Sequence, residues 1–143
     1  MRAVPKARAS AAAAEPRAGR GTGEAGIAAG LRAFFAIADR WGLSPDEARA
    51  LLGHPSRSTF YNWKHGDIGQ VAHGFDLASR LSYVLGIFKA LEILYSRPEL
   101  ADAWVRRPNQ AFGGQSAMQR MRSGHMVDLA AVRTYLDSAR GGW

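Results

Sequence analysis

Apolar residues recur with a helical period along most of the chain, and Gly, Pro and small hydroxyl residues punctuate the runs. Ile27, Leu31, Phe34, Phe35 and Ala38 share one face of a first helix, which Trp41-Gly42 ends. Ser44 then stands as an N-cap before Pro45, and Asp46 and Glu47 place negative charge in the first turn, where the helix dipole favours it. The pattern predicts a short helix from Pro45 to Leu52, stopped by Gly53-His54-Pro55, because glycine tolerates left-handed geometry and proline cannot continue a helix. Ser56 caps a third helix, Arg57 to Lys64, which His65-Gly66 closes.

The longest pattern runs from Phe75 to Ser96. Leu77, Leu81, Val84, Leu85, Phe88, Leu91 and Tyr95 form one apolar stripe, and Tyr83, Ile87, Ala90 and Leu94 a second beside it. So wide an arc reads either as a central core helix or as one that lends a face to a second subunit. Arg97-Pro98 breaks it, and Pro98 opens a short helix through Trp104-Val105. Arg106 to Asn109 reads as a loop, Phe112-Gly113-Gly114 as a tight connection, and Ser116 as the cap of a helix from Ala117 to Arg122. A last amphipathic helix, Asp128 to Ala139, carries Leu129, Val132, Tyr135 and Leu136 on one side. Trp104 and Phe112 read as core. No strand pattern and no internal repeat is evident, so the expected fold class is all-α.

Composition narrows the function classes. A chain of 143 residues builds one shared core, not two large domains. It has no cysteine, which removes disulfides and thiolate chemistry, and no run of about 20 apolar residues long enough to span a bilayer. We therefore expect a soluble, cytoplasmic protein. The net charge of +7 favours a polyanionic partner, nucleic acid before a membrane surface. Part of the excess lies in residues 1–24, where Arg2, Lys6, Arg8, Arg17 and Arg20 face only Glu15 and Glu24; this segment reads as a disordered basic arm.

Residues 44–66 carry the strongest local signal, two capped helices around Leu51-Leu52-Gly53, as in a helix-turn-helix. In that geometry the second helix presents Arg57, Ser58, Thr59, Tyr61, Asn62 and Lys64 outward, types suited to phosphates and base edges, while Phe60 and Trp63 face the core. A plain packing hairpin remains the alternative. Because one copy would bind DNA weakly, a dimer reading two half-sites is expected. Catalytic patterns are missing: His54, His65, His73 and His125 are scattered without metal-ligand spacing, and neither phosphate-loop nor nucleophile-elbow patterns occur. No enzyme activity, metal or cofactor is expected.

With these residues in view, the chain resembles the Xre/MbcA/ParS antitoxins over about residues 26–140. The resemblance is carried by Leu51-Leu52-Gly53 with Thr59-Phe60-Tyr61-Asn62-Trp63 and Gly66. A second, more specific cluster comprises Trp104-Val105, Arg107-Pro108-Asn109, Phe112-Gly113-Gly114, Ser116, Met118, Met121 and Gly124. One departure is Ala117, which stands where the family pattern has Pro, so a looser start to that short helix is expected.

The resemblance implies an Xre-like helix-turn-helix bundle at 25–73, joined by the long central helix to a C-terminal toxin-binding region within 74–143. It implies a type II antitoxin that represses its own operon through operator DNA and blocks a RES-domain toxin. Such toxins consume NAD or transfer ADP-ribose, and the antitoxin occludes the active site without itself binding NAD. Implied partner contacts are Asn109, Met118, Met121, Arg133, Asp137, Arg140 and Trp143, the last on a flexible Gly141-Gly142-Trp143 tail. The complex is expected to contain a homodimer of this chain. A stand-alone helix-turn-helix regulator without a toxin partner is the other reading.

Overall fold

The structure, a computed structural model, describes residues 23–69 and 74–141. The basic arm up to residue 22, His73 and the end of the tail with Trp143 lie outside them. Among the described residues seven α-helices follow one another: α1 Glu24–Trp41, α2 Pro45–Leu51, α3 Arg57–Lys64, α4 Gly74–Leu94, α5 Pro98–Trp104, α6 Ala117–Met121 and α7 Met126–Ala139. A 3-10 turn at Gln110–Phe112 precedes α6. Among the described residues there is no strand, only an isolated antiparallel bridge between Pro108 and Ser116. No described helix is long and apolar enough to cross a membrane.

The helix ends follow the sequence signals closely. α1 stops at Gly42, whose left-handed backbone (φ 65°) returns its N–H to the carbonyls of Ala38 and Asp39. Ser44 and Glu47 form a reciprocal capping box at the start of α2, and Ser56 Oγ accepts from Thr59 N at the start of α3. The helix starts that differ from expectation lack a side-chain cap. α1 begins at Glu24, inside the segment expected to be an arm, with Ile27 N donating to Gly23 O at 2.9 Å. α7 begins two residues before Asp128, and α4 ends at Leu94.

α4 is the axis of the molecule. Leu77, Leu81, Val84, Ile87, Ala90 and Leu91 are buried along it. α1 packs on one side and α7 on another, with α5 against it as well. These neighbours account for the wide apolar arc without a second subunit. Gly30 of α1 lets the two helices approach closely, since a Cβ there would lie 3.1 Å from Leu81 Cδ1. One hydrophobic cluster runs through both halves, from Ile27 and Phe34 through α4 to Trp104, Met121 and Leu136.

Candidate DNA and partner interfaces

The exposed side of α3 is the first candidate surface. Arg57, Ser58, Tyr61, Asn62 and Lys64 are exposed, while Phe60 is buried and Trp63 half-buried against the core. Thr59 departs from the expected outward set: it is half-buried, and its Oγ1 accepts from the capping Ser56 Oγ at 2.9 Å. Arg57 Nη2 lies 3.6 Å from Asp46 Oδ1 of α2, an exposed pair that solvent screens. The turn before α3 is sharper than the sequence suggests, because both Gly53 (φ 92°) and His54 (φ 61°) are left-handed. A histidine in that region costs about 1–2 kcal/mol, which His54 N offsets in part by donating to Arg49 O at 2.7 Å.

Electrostatically this half is not basic. Across residues 23–69, Arg32, Arg40, Arg49, Arg57 and Lys64 are matched one for one by Glu24, Asp39, Asp46, Glu47 and Asp67. The positive excess therefore lies in the N-terminal segment and in the C-terminal half.

A seam of arginines joins the two halves. Arg106, from the loop after α5, reaches back to α2 and donates from Nη2 to Glu47 Oε1 at 2.8 Å and from Nη1 to Glu47 Oε2 at 3.1 Å. Its Nη2 also donates to Gly42 O at 2.9 Å, so it closes the end of α1 as well. The Arg106 bond holds the Glu47 carboxyl at about 2, against an ordinary 4.5, although burial works the other way. Arg40 of α1 similarly holds Asp102 of α5 at 2.9 Å, and Arg80 of α4 donates to Gly124 O at 2.8 Å. Two open clefts of about 320 and 280 Å³ flank this seam and share Glu47 and Arg122 in their walls.

The C-terminal region corrects several expected partner contacts. Met118 and Met121 are buried at 1 % and 0 % exposure and fill the chain's own core beneath α7, with Met118 also reaching the wall of the smaller cleft. Asn109 is half-buried and its Oδ1 accepts from Ala111 N at 2.9 Å, so its side chain caps the 3-10 turn. Trp104 stacks on Tyr135 with centroids 6.1 Å apart, and Phe112 meets Tyr135 edge-on at 5.3 Å, which holds this turn against α7.

Of the other four expected contacts, Trp143 lies outside the described residues, while Arg133 and Asp137 of α7 and Arg140 just past its end come together at the surface. Arg133 Nε donates to both oxygens of Asp137 at 3.1 Å, and Arg140 Nη1 lies 3.5 Å from Asp137 Oδ1. Exposed apolar side chains that no spacing argument singled out are Phe75, Ile93, Leu100 and Val127. Their surroundings depend on which helices pack where, and periodicity alone leaves them indistinguishable from core.

Among the described residues no group of three His, Asp or Glu side chains is placed to hold a metal ion. Arg106 and Arg120 hold the Glu47 and Asp128 carboxyls below their ordinary values, and Glu99 is held low first by its own backbone N–H and then by Arg97. The Glu47 and Asp128 pairs each tie different elements together, whereas Arg97 and Glu99 are a local, exposed pair.

Comparison with known proteins agrees with this division. Residues 25–86 match the family described as an antitoxin Xre-like helix-turn-helix domain. Residues 90–142 match the antitoxin Xre/MbcA/ParS C-terminal toxin-binding domain. The chain is 51 % identical over 116 residues to an uncharacterised protein, y4oB, of Sinorhizobium fredii, covering 81 % of this chain and 88 % of that one. No solved structure matches significantly.

Proposed function

Since the chain belongs to the Xre/MbcA/ParS antitoxin family, we propose that it neutralises a RES-domain toxin that consumes NAD, by covering the toxin's active site, and that it represses its own operon. The observation that carries this reading is the placement of the two matched regions. They share α4 as a common wall and one core, yet leave separate surfaces free, α3 in the first and the Arg133-Asp137-Arg140 face of α7 in the second.

Each surface has the chemistry its task needs. On α3, Arg57 and Lys64 supply cations for phosphates, and Ser58, Tyr61 and Asn62 supply hydrogen-bonding groups for phosphates or base edges. Inhibition requires only that α7 and the residues after it seat on the toxin and exclude its substrate. The chain itself then needs no NAD site. A homodimer would place two α3 helices on successive half-sites.

Co-expression tests the central claim. The RES-domain product of an adjacent gene should arrest growth alone and be silent together with this chain, and the two should co-purify. Equal toxicity with and without the chain, together with specific operator binding, would instead support a stand-alone regulator. Removing Ala139 to Trp143 should weaken neutralisation and leave operator binding intact; full protection by the truncated chain would place the covering element elsewhere.

A further inference from the structure

Gly86 sits in the middle of the 21-residue helix α4, where glycine is among the poorest helix formers. Its surroundings supply a reason. A Cβ at this position would overlap Arg133 Nη1 and lie 2.6 Å from its Cζ. The guanidinium of α7 thus occupies the space in which any other residue of α4 would carry a side chain. Its Nε is engaged by both Asp137 oxygens, while Nη1 and Nη2 have no acceptor among the described residues. The Arg133 side chain remains 32 % exposed.

An arginine held in this way has already given up much of the side-chain freedom that binding would otherwise cost. Its two terminal nitrogens form a fork that matches a carboxylate. The neighbourhood is net positive, with Arg140 just past the end of α7 and exposed Lys89 one turn beyond Gly86 on α4. Two turns beyond Gly86 on that side stands Ile93, an apolar side chain 55 % exposed. Arginine is among the residues enriched at interface anchors, and near-neutral neighbours such as an exposed apolar side chain serve to exclude water around them.

We propose that Gly86 and Asp137 hold Arg133 as a preset receptor for a carboxylate side chain of the toxin, with Ile93, two turns further along α4, as an apolar contact on the same side. The inference rests on the toxin-partner reading above and specifies its site. Gly86 is here a positioning residue, acting through Arg133.

The test uses the full-length chain and its co-purified RES-domain partner, with partner affinity, melting temperature and operator affinity measured for each variant. Gly86→Ala evicts a flexible side-chain end and improves helix propensity, so melting should be unchanged or higher and operator binding unchanged. Affinity for the toxin should fall tenfold or more. Arg133→Lys keeps the charge but removes the fork, and affinity should fall by a similar factor. A wild-type complex whose affinity both variants leave within threefold overturns this inference alone. Failure of the wild-type chain to bind the toxin at all overturns the toxin-partner reading, and this inference with it.

Discussion

The Glu47 carboxylate serves two helices at once, accepting from Ser44 N at the cap of α2 and from the Arg106 fork. Its carboxyl side chain is 13 % exposed and Arg106 is 43 % exposed, so solvent screens part of the pair, and we expect its removal to cost about 1–2 kcal/mol. Glu47→Gln isolates this contribution, because glutamine at the same place still accepts the Ser44 N–H. The folded-state value lies below the unfolded one, so the stabilisation is full above pH 4.5 and fades as pH falls towards about 2. Urea melts should therefore show wild type above Glu47→Gln at pH 7, with the gap closing between pH 4.5 and 2; a gap independent of pH would mean that the pair is not its source. The two roles of Glu47 differ in how readable they are. Its place three residues after Ser44 announces the cap, whereas its partner lies 59 residues away and nothing local points to it. The burial of Met118 and Met121 is hidden for the same reason: membership of a family-like cluster does not say which side chains the fold turns inward.

At the scale of elements, the starts of α2, α3 and α6 were legible because capping is a local competition for backbone hydrogen bonds, whereas α1 and α7 start without a side-chain cap and earlier than expected. α6 shows how far that goes. It has only five residues, yet Ser116 and Gln119 form a full capping box, and Met118 N donates to Val105 O at 2.8 Å. The helix start expected to be looser without proline at Ala117 is thus fully capped. Ser116 (φ −79°, ψ 162°) already has the extended backbone that a residue before proline requires, and the first helical N–H has no partner within a helix. Ala117→Pro should raise stability by about 0.5 kcal/mol by restricting the unfolded chain, read as a higher urea midpoint at unchanged slope. A lower midpoint would show that the buried setting of Ala117 leaves no room for the ring. A larger effect of the opposite sign is expected for Phe112→Ala. The ring is 7 % exposed and joins Trp104 and Tyr135, so its removal should cost about 3 kcal/mol or more and loosen the turn from α7. Neither the 3-10 turn nor this aromatic cluster follows from periodicity, since the three rings come from three separate segments.

For the molecule as a whole, the distribution of charge decides how it would hold DNA. The all-helical class and the order of elements were readable from repeating apolar positions, but a net charge of +7 said nothing about where the charge lies on the fold. Residues 23–69 carry cations and acids in equal number, and Arg57 on α3 has Asp46 beside it. A neutral helix-turn-helix region contributes shape and base contacts but little general attraction for phosphate. By contrast, Arg2, Lys6, Arg8, Arg17 and Arg20 face only Glu15 within residues 1–22, directly before α1. If these residues neutralise phosphates, deleting 1–22 should weaken operator binding and flatten its dependence on salt, by about 0.9 in the log–log slope for each phosphate no longer neutralised. Base preference should persist, because Asn62 and the other exposed groups of α3 are untouched. Lys64→Ala in the full chain should act differently, weakening binding with a slope change of about 1 at most. Operator titrations at several salt concentrations separate the two cases. An unchanged slope after deletion would assign phosphate neutralisation to the helical body, to Arg57 and Lys64 of α3 together with the C-terminal arginines.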